Sequence, residues 1–225
     1  MRYDWILFDA DDTLFHFDAF GGLKRTFAEF GVNFDESAFA HYQAQNQPLW
    51  VAYQNGDIDA EELRHRRFAL WADRLALTTQ DLNETFMNTM VEVCTLLPGA
   101  SELIAGLEGR ARLGIITNGF ASMQQARLQR AGWEHAFSPL VVSEEVGVAK
   151  PDPGIFEHAL ELMGNPDRSR VLMVGDNPHS DILGGLNAGL HTCWLNTQGK
   201  PAPEGITPHH EVTSLGQLQQ WLLKA

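Results

Sequence analysis

Five short apolar runs constrain the fold of this chain more than any other feature. They are Trp5 to Phe8, Leu113 to Ile116, Leu140 to Val142, Val171 to Val174 and Thr192 to Leu195. Each is rich in β-branched or aromatic residues and is flanked by Gly, Asn, Asp or Ser. Runs that are apolar throughout read as strands of a parallel sheet covered on both faces. Helical patterns separate the later runs. Ile155, Phe156, Ala159, Leu160 and Met163 share one helix face. Ile182, Leu183 and Leu186 precede Gly189, a suitable C-cap, and Leu215, Leu218 and Leu222 follow Ser214, a suitable N-cap. Strands alternating with helices predict βαβ units.

The stretch from Phe15 to about Thr95 is different. It shows helix patterns and no strand. The first closes at Phe27, Phe30 and Gly31, and Asp35 caps a second that runs to the Asn55-Gly56 turn. Asp59 caps a third through Leu63, Leu70 and Trp71. Thr79 caps a fourth that carries Leu82, Phe86, Met90 and Val93. Roughly 80 residues between the first two strands far exceed an ordinary crossover. The block is expected to be an all-helical insertion over the strand ends, with Pro98-Gly99 marking the return to the sheet. Residues 15–95 are assigned to it, and residues 1–14 and 96–225 to the α/β core. Gln198 to Pro208 reads as a surface loop, and His209-His210 as solvated surface beside it.

Composition narrows the partners. A chain of 225 residues that is 44% hydrophobic can bury a core. Its net charge of −13 repels nucleic acid and anionic membrane, so neither is an expected partner. No apolar stretch approaches a bilayer-spanning length. Cys94 and Cys193 read as buried small hydrophobes, a usage that fits a reducing cytoplasm. The nine histidines form no metal-spaced cluster, and His179 reads as an exposed loop residue. Composition sets no oligomeric state.

The chemistry collects where the strands end. The first run leads into Asp9-Ala10-Asp11-Asp12-Thr13, the second into Thr117-Asn118-Gly119, the third through Ser143-Glu144-Glu145 to Lys150-Pro151, and the fourth into Gly175-Asp176 and then Asp181. In an open α/β sheet, ligands bind outside the carboxyl ends of the strands. A solvated turn or a lone cap explains any one of these groups, but not their ordered recurrence. An aspartate is already ionised at neutral pH and needs no base to make it a nucleophile. Clustered acids repel one another and a phosphate dianion by about 4 kcal/mol per close pair at an effective dielectric near 20. A hard divalent cation removes that repulsion, and Mg²⁺ suits a site with few carboxylates and a phosphate oxygen. Lysine, hydroxyl and amide groups can hold the remaining phosphoryl oxygens. Phosphoryl transfer through an aspartyl-phosphate is the reaction class these groups fit.

In order and spacing these segments resemble the four motifs of the haloacid dehalogenase (HAD) superfamily. The resemblance implies an α/β fold, with a Rossmann-like parallel-sheet core and an inserted all-helical cap. It implies that Asp9 is nucleophile and metal ligand. Asp11 is the general acid and base, and its backbone carbonyl is a further ligand. Thr117, Asn118 and Lys150 bind the phosphoryl group, Asp176 binds metal, and Asp181 orients the metal's outer shell. Mg²⁺ is the implied cofactor, with Mn²⁺ able to substitute. Asp12 departs from the glycine that many members carry, which bears on the local turn. The acid at Asp11 separates phosphatases and phosphomutases from dehalogenases, which lack it.

Within the superfamily the chain resembles the pyrimidine 5′-nucleotidases. The segments that carry this are Phe15-His16-Phe17-Asp18, Gln45 to Trp50, Ile116 to Phe120, and Ser143 to Pro151. A small-molecule substrate is implied, a nucleoside 5′-monophosphate such as dUMP, UMP or dTMP. Phe17 and Trp50 offer aromatic faces for a base, and Asn46 an amide for its edge. Phosphatases of sugar or glycolate phosphates and phosphomutases are the enzymatic alternatives. A phospho-receiver signalling module is the non-enzymatic one, although it needs neither the second acid nor the long insertion.

Overall fold

The structure is a computed structural model and describes residues 2–224. In chain order its elements begin with strands β1 (Trp5–Phe8) and β2 (Phe15–His16). Five helices follow, α1 (Ala19–Glu29), α2 (Glu36–Gln54), α3 (Ala60–Arg66), α4 (Ala69–Leu75) and α5 (Thr79–Val93). Next come β3 (Thr95–Leu96), α6 (Ala100–Leu107), β4 (Arg112–Thr117), α7 (Ala121–Arg130), β5 (Leu140–Val142), α8 (Ser143–Val146) and α9 (Pro153–Leu162). The chain closes with β6 (Val171–Gly175), a π-helical turn (Pro178–Ile182), α10 (Leu183–Asn187), β7 (His191–Leu195), β8 (His210–Val212) and α11 (Leu215–Lys224). Phe17–Cys94 forms one compact unit, and the chain before and after it forms the other.

The sheet unit is an α/β fold. Its six strands run in the order β5-β4-β1-β6-β7-β8, and every pairing is parallel. The pleat sends alternate residues to opposite faces. Ile6 and Phe8 therefore join a cluster with Leu103, Ile115, Leu172, Leu218 and Leu222. Trp5 and Leu7 join another with Ile155, Phe156, Leu160 and Met173. Both faces are covered, which is why the central strands are apolar throughout. Cys94 and Cys193 are buried free thiols. Among the described residues no helix is long and apolar enough to cross a membrane.

The helical unit is built on aromatic packing. Phe27 stacks on Phe34 with ring centroids 4.7 Å apart, and Trp71 leans on both. The predicted caps Asp35 and Asp59 each accept a backbone N–H, from Ala38 and Glu62. The fourth helix is capped by Thr78, one residue before the expected Thr79.

Three further local expectations are corrected. The third helix is two, because the chain breaks at Arg67-Phe68 and carries the buried Arg67 inward to Asn83. The Phe15–Thr95 stretch has a strand at each border. Phe15 pairs with Leu96 and His16 with Thr95 in an antiparallel ribbon that belongs to the sheet unit. His210 is not solvated surface: it is half-buried, begins β8, an edge strand of the sheet, and stacks on Trp221 at 3.9 Å. Its neighbour His209, although exposed, stacks on His191 and accepts the Thr192 N–H.

Candidate active site

Four chain segments deliver polar groups to the carboxyl edge of β1, β4 and β6. The Asp9 N–H donates to Val174 O (2.8 Å), so Asp9 still lies in the ladder between β1 and β6. The chain then turns tightly, with Leu14 N–H and Phe15 N–H both donating to Ala10 O. Asp12 sits in the left-handed region at φ 54°, where aspartate is among the more tolerant side chains. That backbone accounts for the glycine common at this position in the resembling family. Thr13 ties the turn to β6: its hydroxyl accepts Asp176 N–H (3.1 Å) and faces Asp176 Oδ1 (3.4 Å). Gly175 is required just before it, since a Cβ there would fall 2.2 Å from Asp181 Oδ2.

Lys150 is the centre of the cluster. It is 1% exposed, and its ammonium donates to Asp9 Oδ1 (2.6 Å), Asp181 Oδ1 (2.6 Å) and Ile116 O (2.7 Å). An ammonium has three protons, and these contacts use all of them. Asn118 fixes the lysine's backbone from the end of β4. Its Oδ1 accepts Lys150 N–H (2.7 Å) and its Nδ2 donates to Lys150 O (2.9 Å). The Lys150-Pro151 peptide is cis.

The charges do not balance within the protein. Carboxylate oxygens of Asp9, Asp176 and Asp181 all lie within 4.8 Å of one another, with Lys150 as the ammonium between them. Burial pushes the Asp9 carboxyl up to about 7, with Asp181 and Asp11 adding to it against the pull of Lys150. Burial likewise pushes Asp176 up to about 8, helped by Asp9, Asp181 and Asp12. Lys150 is desolvated too, but Asp181 and Asp9 outweigh that and hold its ammonium above the ordinary lysine range. A hard divalent cation fits this donor set, because it would relieve carboxylates that the fold forces together. The oxygens of Asp181 are already committed, Oδ1 to Lys150 and Oδ2 to Asn177 N–H (3.0 Å). Asp9 and Asp176 remain to face an ion, and Asp181 braces the lysine and the β6 loop.

Asp11 faces another partner. Arg127 of α7, 2% exposed, donates to its Oδ1. Arg127 also donates to Gln124 Oε1, and Gln124, itself fully buried, reaches Thr117 Oγ1 at 3.5 Å. Thr117 is 1% exposed at the end of β4. Gln124 and Arg127 were not among the sequence-predicted site residues. Their signal was present: two polar residues occupy the inner face of a helix beside Met123 and Leu128.

Asp9, Asp11, Thr117, Asn118, Lys150, Asp176 and Asp181 thus share one edge of the sheet unit. Phe17, Asn46 and Trp50 belong to the helical unit and are half-buried there. Asn46 is engaged within its own helix, accepting from Tyr42 Oη (3.4 Å) and donating to Gln43 Oε1 (3.2 Å). Trp50 meets the Tyr53 ring edge-on. His179 is exposed.

The chain is similar to proteins already known. The family model for haloacid dehalogenase-like hydrolases matches residues 3–189. Pyrimidine 5′-nucleotidase YjjG of Escherichia coli (strain K12) is 57% identical over 224 residues, covering 100% of both chains. Pyrimidine 5′-nucleotidase PynA of Streptococcus pneumoniae is 29% identical over 100% of this chain and 97% of its own. Among solved structures, the magnesium-bound HAD-hydrolase YfnB of Bacillus subtilis superposes with a TM-score of 0.86 at 31% identity, covering 99% of each chain.

Proposed function

This chain belongs to the haloacid dehalogenase-like hydrolase family, and from that premise we propose that it hydrolyses pyrimidine nucleoside 5′-monophosphates through an aspartyl-phosphate on Asp9. For the chemistry, the reading rests on the buried Asp9 carboxylate held by Lys150 at 2.6 Å. For the substrate, it rests on full-length similarity to a pyrimidine 5′-nucleotidase.

In the first step Asp9 attacks phosphorus as the bond to the leaving oxygen breaks, and Asp11 gives that oxygen a proton. In the second step Asp11 takes a proton from water, which attacks phosphorus and frees Asp9 and inorganic phosphate. Lys150 offsets charge on the phosphoryl oxygens, and the Thr117 hydroxyl donates to them. The Asn118 side chain is committed to Lys150, so its backbone N–H is the group assigned to phosphate. The Asp9 and Asp176 side chains and the Asp11 carbonyl would hold Mg²⁺, with Mn²⁺ as substitute. When bound, the ion neutralises the cluster and the incoming phosphate. Asp181 keeps Lys150 and the β6 loop in place. The sheet unit is assigned as catalytic core and Phe17–Cys94 as a substrate-selecting cap, with Phe17, Asn46 and Trp50 reading the base. The two buried free thiols support a cytoplasmic setting.

The test is phosphate release, with Mg²⁺ present, from dUMP, UMP, dTMP, purine monophosphates and sugar phosphates. Preference for the pyrimidine nucleotides is the expected result. Equal rates across the panel would remove the base-selection part. Phe17→Ala should lose more turnover on dUMP than on p-nitrophenyl phosphate.

A further inference from the structure

The buried face of α7 carries a cation that the two-step chemistry above does not use. Arg127 lies over the Phe15 ring at 4.5 Å and is held by Gln124 Oε1 through Nε (2.9 Å) and Nη2 (2.5 Å). Its Nη1 donates to Asp11 Oδ1. The other oxygen of Asp11 and the Thr117 hydroxyl both border Gly119. A Cβ built on Gly119 would stand 3.4 Å from Asp11 Oδ2, 3.3 Å from Thr117 Oγ1 and 2.2 Å from Gln124 Nε2. Gly119 therefore leaves the room in which these three groups approach each other.

Packing alone gives no reason for a guanidinium here, since a buried charge costs several kcal/mol in desolvation where an apolar side chain costs none. Nor is the pair sealed within the core. The Asp11 side chain keeps 29% of its exposure while that of Arg127 keeps 1%. One partner is anchored in the fold and the other opens toward the site.

We propose that Arg127 is a positioning residue for Asp11: it grips Oδ1 and so aims Oδ2 at the oxygen that leaves phosphorus beside Thr117. Gln124 sets both Arg127 and Thr117, so the acid and the phosphoryl-binding hydroxyl share one support. Arg127 itself transfers no proton. The Oδ2 proton passes to the leaving oxygen as the ester P–O bond breaks, and the same oxygen takes a proton from water as the Asp9–phosphorus bond breaks. The assignment rests on reading Asp11 as the general acid and base.

The test uses two leaving groups. A nucleotide expels an alkoxide, which needs a proton, whereas p-nitrophenolate leaves without one. General acid catalysis contributes about 10²–10⁴-fold. Arg127→Met should lower kcat/KM for the nucleotide by about 10–100-fold, a part of that contribution, and change p-nitrophenyl phosphate far less. Arg127→Lys keeps the charge but not the planar fork, so it should show a smaller loss with the same selectivity, and it serves should the Met variant fail to fold. Adding Arg127→Met to Asp11→Asn should cost little beyond Asp11→Asn alone. Equal losses on both substrates, or additive losses in the double variant, would overturn the proposal. If Asp11→Asn itself shows no dependence on the leaving group, the reading of Asp11 fails and carries this one with it. If Asp11→Asn is selective and neither Arg127 variant is, only the role of Arg127 is lost.

Discussion

The sheet unit and the helical unit each bury an arginine, and they accommodate it in different ways. Arg67, 3% exposed in the helical unit, donates to the neutral Asn83 Oδ1 and lies 5.1 Å and 5.2 Å from the ring centroids of Phe68 and Phe86. Burial lowers its pKa, as expected of a cation surrounded by amide and aromatic groups. Arg127 instead faces a carboxylate that opens toward the site. The difference extends to the units as wholes. The helical unit gains its order from stacked aromatics such as Phe27 and Phe34. The sheet unit gathers Asp9, Lys150 and Asp181 at one edge, where burial opposes the Asp9 carboxylate more than Lys150 relieves it. Strain of that kind is expected where chemistry is done.

Substitutions in the two units should therefore separate turnover from stability. The largest effect is expected from Asp9→Asn, which should cost at least about 10⁴-fold in kcat while circular dichroism stays native. EDTA should likewise stop turnover and added Mg²⁺ restore it. Lys150→Ala should follow, with about 10²–10³-fold lost from kcat, the range for removing one preorganised electrostatic group that stabilises a transition state. Near-normal turnover in that variant would break the contrast at its centre. Arg67→Met should do the opposite. It leaves Asn83 without a donor and should cost about 1–3 kcal/mol in chemical denaturation, while kcat of the folded fraction is unchanged.

The smallest effect has a sign that sharpens the comparison. Asp176 and Asp9 titrate near 8 and 7 in the fold, against an ordinary aspartate value of 3.8. Through that window the folded chain holds more protons than the unfolded one, so stability falls as pH rises. Metal-free protein should therefore gain stability as pH drops from about 8.5 to about 6.5, and keep only the shallower slope due to Asp9 in Asp176→Asn. Asp176→Asn should also melt a few degrees higher in EDTA, by about 1 kcal/mol, yet show no turnover. A lower melting temperature would mean that the acid serves the fold.

The five main strands were legible because a strand covered on both faces must be apolar at consecutive positions, as Val171–Gly175 is. The polar site residues were legible because each directly follows such a strand or the helix after it. Less visible was β8, a three-residue edge strand reading His-Glu-Val, whose pairing depends on a neighbour and not on its own pattern. The break between α3 and α4 was hidden because its cause, the docking of Arg67 against Asn83, links residues sixteen apart. Arg127 escaped for a related reason. Its partner Asp11 lies 116 residues away in sequence, and only the fold brings the pair together.

The two-residue ribbon of Phe15–His16 with Thr95–Leu96 has a consequence for how such a molecule can diversify. Where the chain departs from the sheet unit and where it returns, the backbones run side by side, about 5 Å apart. To the sheet, everything from Phe17 to Cys94 is the tip of a hairpin. Its length and content can be exchanged at little entropic penalty while the carboxyl edge of the sheet stays as it is.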